Sequence, residues 1–196
     1  ENDIVFLYDV AYLEFSHEAD NRQKISHLPR LESHVITVIA FSGSKTFGVY
    51  GLRMGAAILL SRDEEKVTSA HMKYVNEARG SWSATPTISI ELFNHFSIKK
   101  NKDLFLEELA RMNDVVQARS KSFNDQAKEI GLITYPFRSG FYTVILTKDP
   151  DNDYLELQKH RIYAVPMNGG IRLALCSLSK NEIIGLPQKI KAILDL

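Results

Sequence analysis

Apolar runs and polar intervals divide the chain into alternating strand-like and helix-like segments. Ile4-Val5-Phe6-Leu7-Tyr8 is short, apolar and without polar alternation, a pattern that predicts a buried strand ending at Asp9. From Glu14 to Glu32 the chain is polar, with His17, His27 and Pro29, and predicts a surface segment holding one helical turn. Those histidines lack the spacing of metal ligands. Val35 to Phe41 and Ala56 to Leu60 predict two further buried strands on either side of a glycine-rich loop. Helical spacing follows from Asp63 to Ala78, is broken at Arg79-Gly80-Ser81, and resumes from Thr87 to about Phe96.

Lys99-Lys100-Asn101-Lys102-Asp103 is the expected domain boundary, separating residues 1–100 from 101–196. Beyond it, Leu106, Leu109, Val116, Phe123 and Ala127 mark a long amphipathic helix from Asp103 to about Ile130, stopped by Gly131. Tyr142 to Leu146, Ile162 to Val165 and Ile171 to Leu175 predict strands, with a short helix from Asp153 to Lys159 between the first two. Ser179 is placed to cap a last helix, interrupted near Gly185-Leu186-Pro187. Strands and helices mixed with short loops predict an α/β or α+β fold.

Composition alters this picture little. Residues that are 44% hydrophobic and 24% charged are ordinary for a globular chain of 196 residues. With 24 basic and 24 acidic side chains the formal charge is zero, which argues against a nucleic-acid or polybasic membrane partner. No apolar run approaches transmembrane length, and Glu1-Asn2-Asp3 does not open a signal peptide. The single Cys176 fits a reducing cytoplasm and a buried structural role within its apolar strand.

The chemistry is concentrated in Ser42-Gly43-Ser44-Lys45-Thr46-Phe47-Gly48-Val49-Tyr50-Gly51-Leu52-Arg53-Met54-Gly55. Its glycines allow sharp turns and close approach of the backbone to an anion. Ser42, Ser44 and Arg53 are phosphate-binding types, and a lysine beside Arg53 is expected to lose its proton more easily than a free one. A neutral amine attacks aldehydes. Asp9 stands at the end of a strand, where α/β folds place ligand-binding groups, although turn-capping is an equally common use of such an Asp. Arg172 interrupts an apolar strand and needs an anion, either a structural carboxylate or a ligand.

The run S-x-S-K-x-F-G-x-x-G-x-R-x-G closely resembles the Schiff-base segment of fold-type I, class I/II pyridoxal-phosphate aminotransferases. That resemblance implies that pyridoxal 5'-phosphate is the cofactor, that Lys45 bonds it, and that Ser42 and Arg53 hold its phosphate. The upstream D-x-A-Y is similar to the family's pair in which Asp9 would face the pyridine nitrogen and Tyr12 the phenolate oxygen. G-x-R-L-A-L resembles the segment whose arginine, here Arg172, binds the substrate's α-carboxylate. Arg79, ahead of Trp82-Ser83, is spaced like the distal-carboxylate arginine of the aspartate aminotransferase subgroup, which acts in the neighbouring subunit's site.

The resemblance implies the later part of the large cofactor domain (1–100) and the small C-terminal domain (101–196), from a homodimer using amino acids and 2-oxo acids, with a dicarboxylate or aromatic amino acid as one substrate. It covers only the second half of the family's sequence. The glycine/serine-rich phosphate turn, the ring-stacking aromatic and the Asn beside the phenolate oxygen would lie upstream, so a truncated chain is expected, with weak or absent cofactor, no measurable transamination alone and a tendency to associate through its exposed sheet edge. Two alternatives stand beside transamination. One is a lyase or decarboxylase of the same fold. The other is a cofactor-free α/β interaction domain in which Lys45 and Arg53 hold phosphorylated ligands.

Overall fold

A computed structural model describes residues 2–16, 18 and 20–196, so His17 lies outside the described residues. The chain is mixed α/β and divides into two compact units, Glu1–Leu109 and Ala110–Leu196.

The first unit is built on a three-stranded sheet, β1 (Ile4–Asp9), β2 (Val35–Ser42) and β3 (Gly55–Leu60), in the order β1-β2-β3. β1 runs parallel to β2, with Ile4 opposite Val35 and Asp9 opposite Ala40, whereas β3 returns antiparallel, with Ser42 opposite Gly55. β2 is central, and its Thr37 and Ile39 are buried. The expectation of three buried strands fails at the edges. β1 is exposed along most of its length, reaching 70% at Val5, because it pairs on one side only; of its residues Tyr8 packs against the small core of Val10, Leu28 and Ile39. Ile58 of β3 is likewise exposed.

Between β1 and β2 the polar segment forms short 3-10 turns, Leu13–Phe15 and Gln23–Arg30. Leu28 drops from the second into a small core with Val10 and Ile39. Helix α2 (Glu64–Ser81) follows β3, and Asp63 caps it by accepting the Glu65 and Lys66 N–H groups, each at 3.1 Å. The helix does not break at Arg79-Gly80. It continues one turn further, placing Arg79 at its cation-favouring C-terminal end. Lys66 reaches back to Asp3 at 2.6 Å, which holds the Asp3 carboxyl below its usual range and the Lys66 amine above its own. Helix α3 (Thr87–Ser97) begins after Pro86.

The cationic run 99–103 forms the opening turns of helix α4 (Lys99–Glu129). The part of α4 within the second unit carries buried Phe123 and Ala127 into a core with Ile145, Leu157, Ile171, Leu175, Ile183 and Ile190. That core covers an antiparallel sheet of β4 (Tyr142–Leu146), β5 (Val165–Met167) and β6 (Gly170–Ala174), ordered β4-β6-β5. Helix α5 (Pro150–Lys159) starts three residues earlier than its apolar spacing predicts, since Asp149 caps it and Pro150 suits its first turn. Ile162 to Ala164 is not strand; Ile162 is a buried core residue and pairing begins at Val165.

Ser179 forms a capping box with Glu182 at the start of α6 (Lys180–Ile183), and α7 (Leu186–Leu194) resumes after Gly185 in the left-handed conformation. Gln126 of α4 ties this junction by accepting the Gly185 N–H at 2.8 Å. Cys176 sits on a 3-10 turn after β6, partly buried rather than within the strand. No helix among the described residues is long and apolar enough to cross a membrane.

Candidate functional site

The run from Ser42 to Gly55 is the connection of the β2–β3 hairpin, and its interior is less loop-like than its glycines suggest. Gly43–Thr46 make one α-helical turn, here α1, and Tyr50–Leu52 a 3-10 turn. Lys45 is therefore carried on a helical turn whose first residue, Gly43, packs against Met54. A Cβ at Gly43 would stand 2.6 Å from the Met54 methyl carbon.

Three contacts fix this connection. Ser44, buried, pins its two ends together. Its N–H donates to the Met54 carbonyl at 3.1 Å, and its hydroxyl accepts the Met54 N–H at 3.2 Å. Phe47 anchors the middle, with ring centres 5.0 Å from Phe105, 5.4 Å from Phe96 and 6.3 Å from Phe93. Ser89, fully buried on α3, donates its hydroxyl hydrogen to the Leu52 carbonyl at 2.8 Å. The phosphate-binding expectation for Ser44 thus gives way to a structural one, because its hydroxyl is already engaged. Ser42, by contrast, makes no side-chain capping bond to α1.

The two cations of the run converge on one ring. Lys45 Nζ lies 4.2 Å from the centre of Tyr50, and the Arg53 guanidinium carbon lies 4.6 Å from it. Arg53 adopts a left-handed backbone (φ 46°) and turns its Nη1 onto the Tyr50 carbonyl at 3.1 Å, with the Ser44 hydroxyl at 3.5 Å. Tyr12 is the more distant ring, 6.0 Å from Lys45 Nζ. Among the described residues no carboxylate pairs with Lys45 or Arg53. Two basic side chains seated on a π-face and on neutral oxygens, with no carboxylate on either, are placed to meet an incoming anion.

The parallel register brings Asp9 to the same end of the sheet as Ser42, since Asp9 lies opposite Ala40 at the carboxyl ends of β1 and β2. One Asp9 oxygen accepts the Ala11 N–H at 2.9 Å, the local turn that such a residue commonly makes. Its second oxygen has no partner among the described residues. Arg79 does not join the Lys45 cluster. It lines, with Arg53, Trp82, Tyr74 and Gly55, an open concavity of about 760 Å³ between the sheet and α2.

Arg172 belongs to the second unit, on β6 opposite Val144 and Val165. Its guanidinium stacks 4.7 Å from the Tyr142 ring centre, and no carboxylate among the described residues pairs with it. The structural salt bridge that its apolar surroundings allowed is not formed. Tyr50 is the residue that sequence reasoning missed. The available signal was its spacing, five residues after Lys45 and three before Arg53, which returns a short turn onto both cations.

The sequence matches the family described as aminotransferase class I and II over residues 1–189. Comparison with curated proteins gives no match. Among solved structures, the chain resembles an aminotransferase from Anaerococcus prevotii at 30% identity and a TM-score of 0.90, covering 99% of this chain and 48% of that one. An aromatic-amino-acid aminotransferase from Burkholderia pseudomallei, covalently bound to pyridoxal phosphate, shares the fold at 20% identity and a TM-score of 0.72, with 97% and 48% covered. An aromatic aminotransferase from Pyrococcus horikoshii does so at 17% identity and a TM-score of 0.73, with 98% and 51% covered. The chain spans about half the length of the solved structures it matches.

Proposed function

Because the chain belongs to the aminotransferase class I and II family, we propose that it serves pyridoxal-phosphate-dependent transamination between an amino acid and a 2-oxo acid, with Lys45 as the reactive amine. The observation that carries this reading is the convergence of Lys45 and Arg53 on Tyr50 without a neutralising acid. The donor set fits the cofactor. A serine hydroxyl that makes no capping bond and a guanidinium held only by neutral oxygens and a ring suit a phosphate, and a half-buried amine suits an aldehyde. Pyridoxal phosphate supplies, when bound, an electron sink for the charge left on an amino acid's α-carbon.

The residues then divide the work. Ser42 and Arg53 hold the phosphate. Asp9, through the oxygen not engaged by Ala11, holds a proton on the ring nitrogen, and Tyr12 bonds the phenolate oxygen. Lys45 Nζ is the base that takes the α-proton of the amino acid. Arg172, stacked on Tyr142 and lacking a carboxylate, pairs with the substrate's α-carboxylate through its planar fork. Arg79 is assigned to a second, distal carboxylate, favouring aspartate or glutamate. Its support is its exposed place in the last turn of α2, open to a second copy of the chain.

The test is incubation of the chain with pyridoxal phosphate, borohydride reduction and peptide mapping. A reduced adduct on Lys45, lost in Lys45→Ala, is expected, and simple phosphate binding leaves no such adduct. An adduct spread evenly over the lysines rejects the assignment. In the active enzyme, Arg79→Ala should lower turnover of aspartate and glutamate but not phenylalanine; equal loss on all three rejects the distal role.

A further inference from the structure

We infer that Tyr50 is a positioning residue: its ring face is the resting seat of the Lys45 ammonium whenever that amine is not bonded, and the same ring orients Arg53. The inference rests on the assignment of Lys45 as the reactive amine. A transaminase lysine must be released when substrate arrives and must return to the same place, so it needs a seat that holds it weakly. A carboxylate would hold the ammonium too firmly and would also compete for Arg53. An aromatic face attracts a cation without neutralising it, and its contact is weak enough to exchange.

The distances single out this ring. Tyr50 lies 4.2 Å from Lys45 Nζ, well inside cation–π range, whereas Tyr12 at 6.0 Å stands at its limit. The Arg53 guanidinium lies 4.6 Å from the same ring centre, so one side chain attracts two like charges that would otherwise repel each other. Arg53 is held a second time by the Tyr50 carbonyl at 3.1 Å. That bond survives any side-chain substitution, so changing the side chain isolates the ring's contribution. Tyr50 is 63% exposed, so replacing it removes little packing and leaves the unit folded.

The experiment is competitive acetylation of the full chain at fixed pH with limiting acetic anhydride, read by mass spectrometry at Lys45 against the other lysines. An amine seated on a ring face is presented to a reagent less readily than one free in solvent. Tyr50→Leu, which keeps bulk but removes the face, should raise Lys45 acetylation about two- to fivefold relative to the reference lysines. Tyr50→Phe, which keeps the face and loses the hydroxyl, should match the wild type. An unchanged rate in Tyr50→Leu overturns the inference, as does an equal rise in both variants, which would assign the effect to the hydroxyl. A parallel arm with pyridoxal phosphate and borohydride separates the two levels. If wild-type Lys45 gains no preferential adduct there, the transaminase reading fails, while acetylation still decides whether the ring seats the amine.

Discussion

Ser44→Ala tests whether the Lys45–Arg53 arrangement depends on the pin at the base of the hairpin connection. The Ser44 hydroxyl accepts the Met54 N–H at 3.2 Å, and both residues are buried. Alanine keeps the backbone and the bond from the Ser44 N–H to the Met54 carbonyl. It deletes the acceptor and leaves a buried amide donor unsatisfied. An ordinary hydrogen bond contributes only about 0.5–1.5 kcal/mol net, but an unsatisfied buried donor costs about 1–3 kcal/mol. The larger range applies, because Met54 and Ser44 are both buried. Arg53 also loses its weaker contact at 3.5 Å. Urea unfolding should show a loss of about 1–3 kcal/mol with an unchanged slope, and native-state hydrogen exchange should show the Met54 amide released selectively. A loss below about 0.5 kcal/mol with normal Met54 protection would refute the reasoning, since the hydroxyl would then be dispensable to the connection.

Two further predictions concern the second unit. Phe123→Ala removes a fully buried ring from its core and should cost about 3–5 kcal/mol, read as the urea midpoint of circular dichroism; a loss under about 1 kcal/mol would show that the site collapses freely. Ser179→Ala removes the α6 cap and should cost about 0.5–2 kcal/mol. The Glu182 carboxyl is held below its ordinary range, first by the Ser179 backbone N–H and then by its hydroxyl. The stability it contributes is therefore present above the unfolded carboxylate range and is lost as pH falls through the depressed folded value. Glu182→Gln, which removes the titrating carboxyl, should be less sensitive to acid than wild type across that window, and identical acid profiles would contradict the linkage.

Much of the fold was legible because local signals agreed with tertiary ones. Ser179 with Glu182, Asp63 ahead of α2, and the apolar runs of β2, β4 and β6 each carried their own cause. Burial was not legible. An apolar run such as Ile4–Leu7 predicts a strand, but whether a strand is covered depends on neighbours that its own sequence does not encode, and Ile4–Leu7 are exposed. The helical turn at Gly43–Thr46 was hidden by glycine and serine, which favour loops until Phe47 and Ser44 anchor them. Lys45, Arg53 and Asp9 stand out in the sequence because their spacing constrains chemistry. Tyr50 was missed because a tyrosine in a turn has no motif of its own until the turn's geometry is known.

The antiparallel return of β3 onto β2 sets an order of assembly. Lys45 and Arg53 lie within residues 43–54, the connection of a hairpin, whereas Asp9 reaches its place only when residues 10–34 close the parallel β1–β2 pair. That second closure spans about twice the chain, a difference of roughly 0.6 kcal/mol in closure entropy, and it must also align a parallel register with no hairpin to guide it. Refolding should therefore build the cationic seat as a local event and dock the acidic strand afterwards. During refolding, an anion that reads only the cations would be bound before β1 arrives, and one that also needs Asp9 would wait for the slower phase.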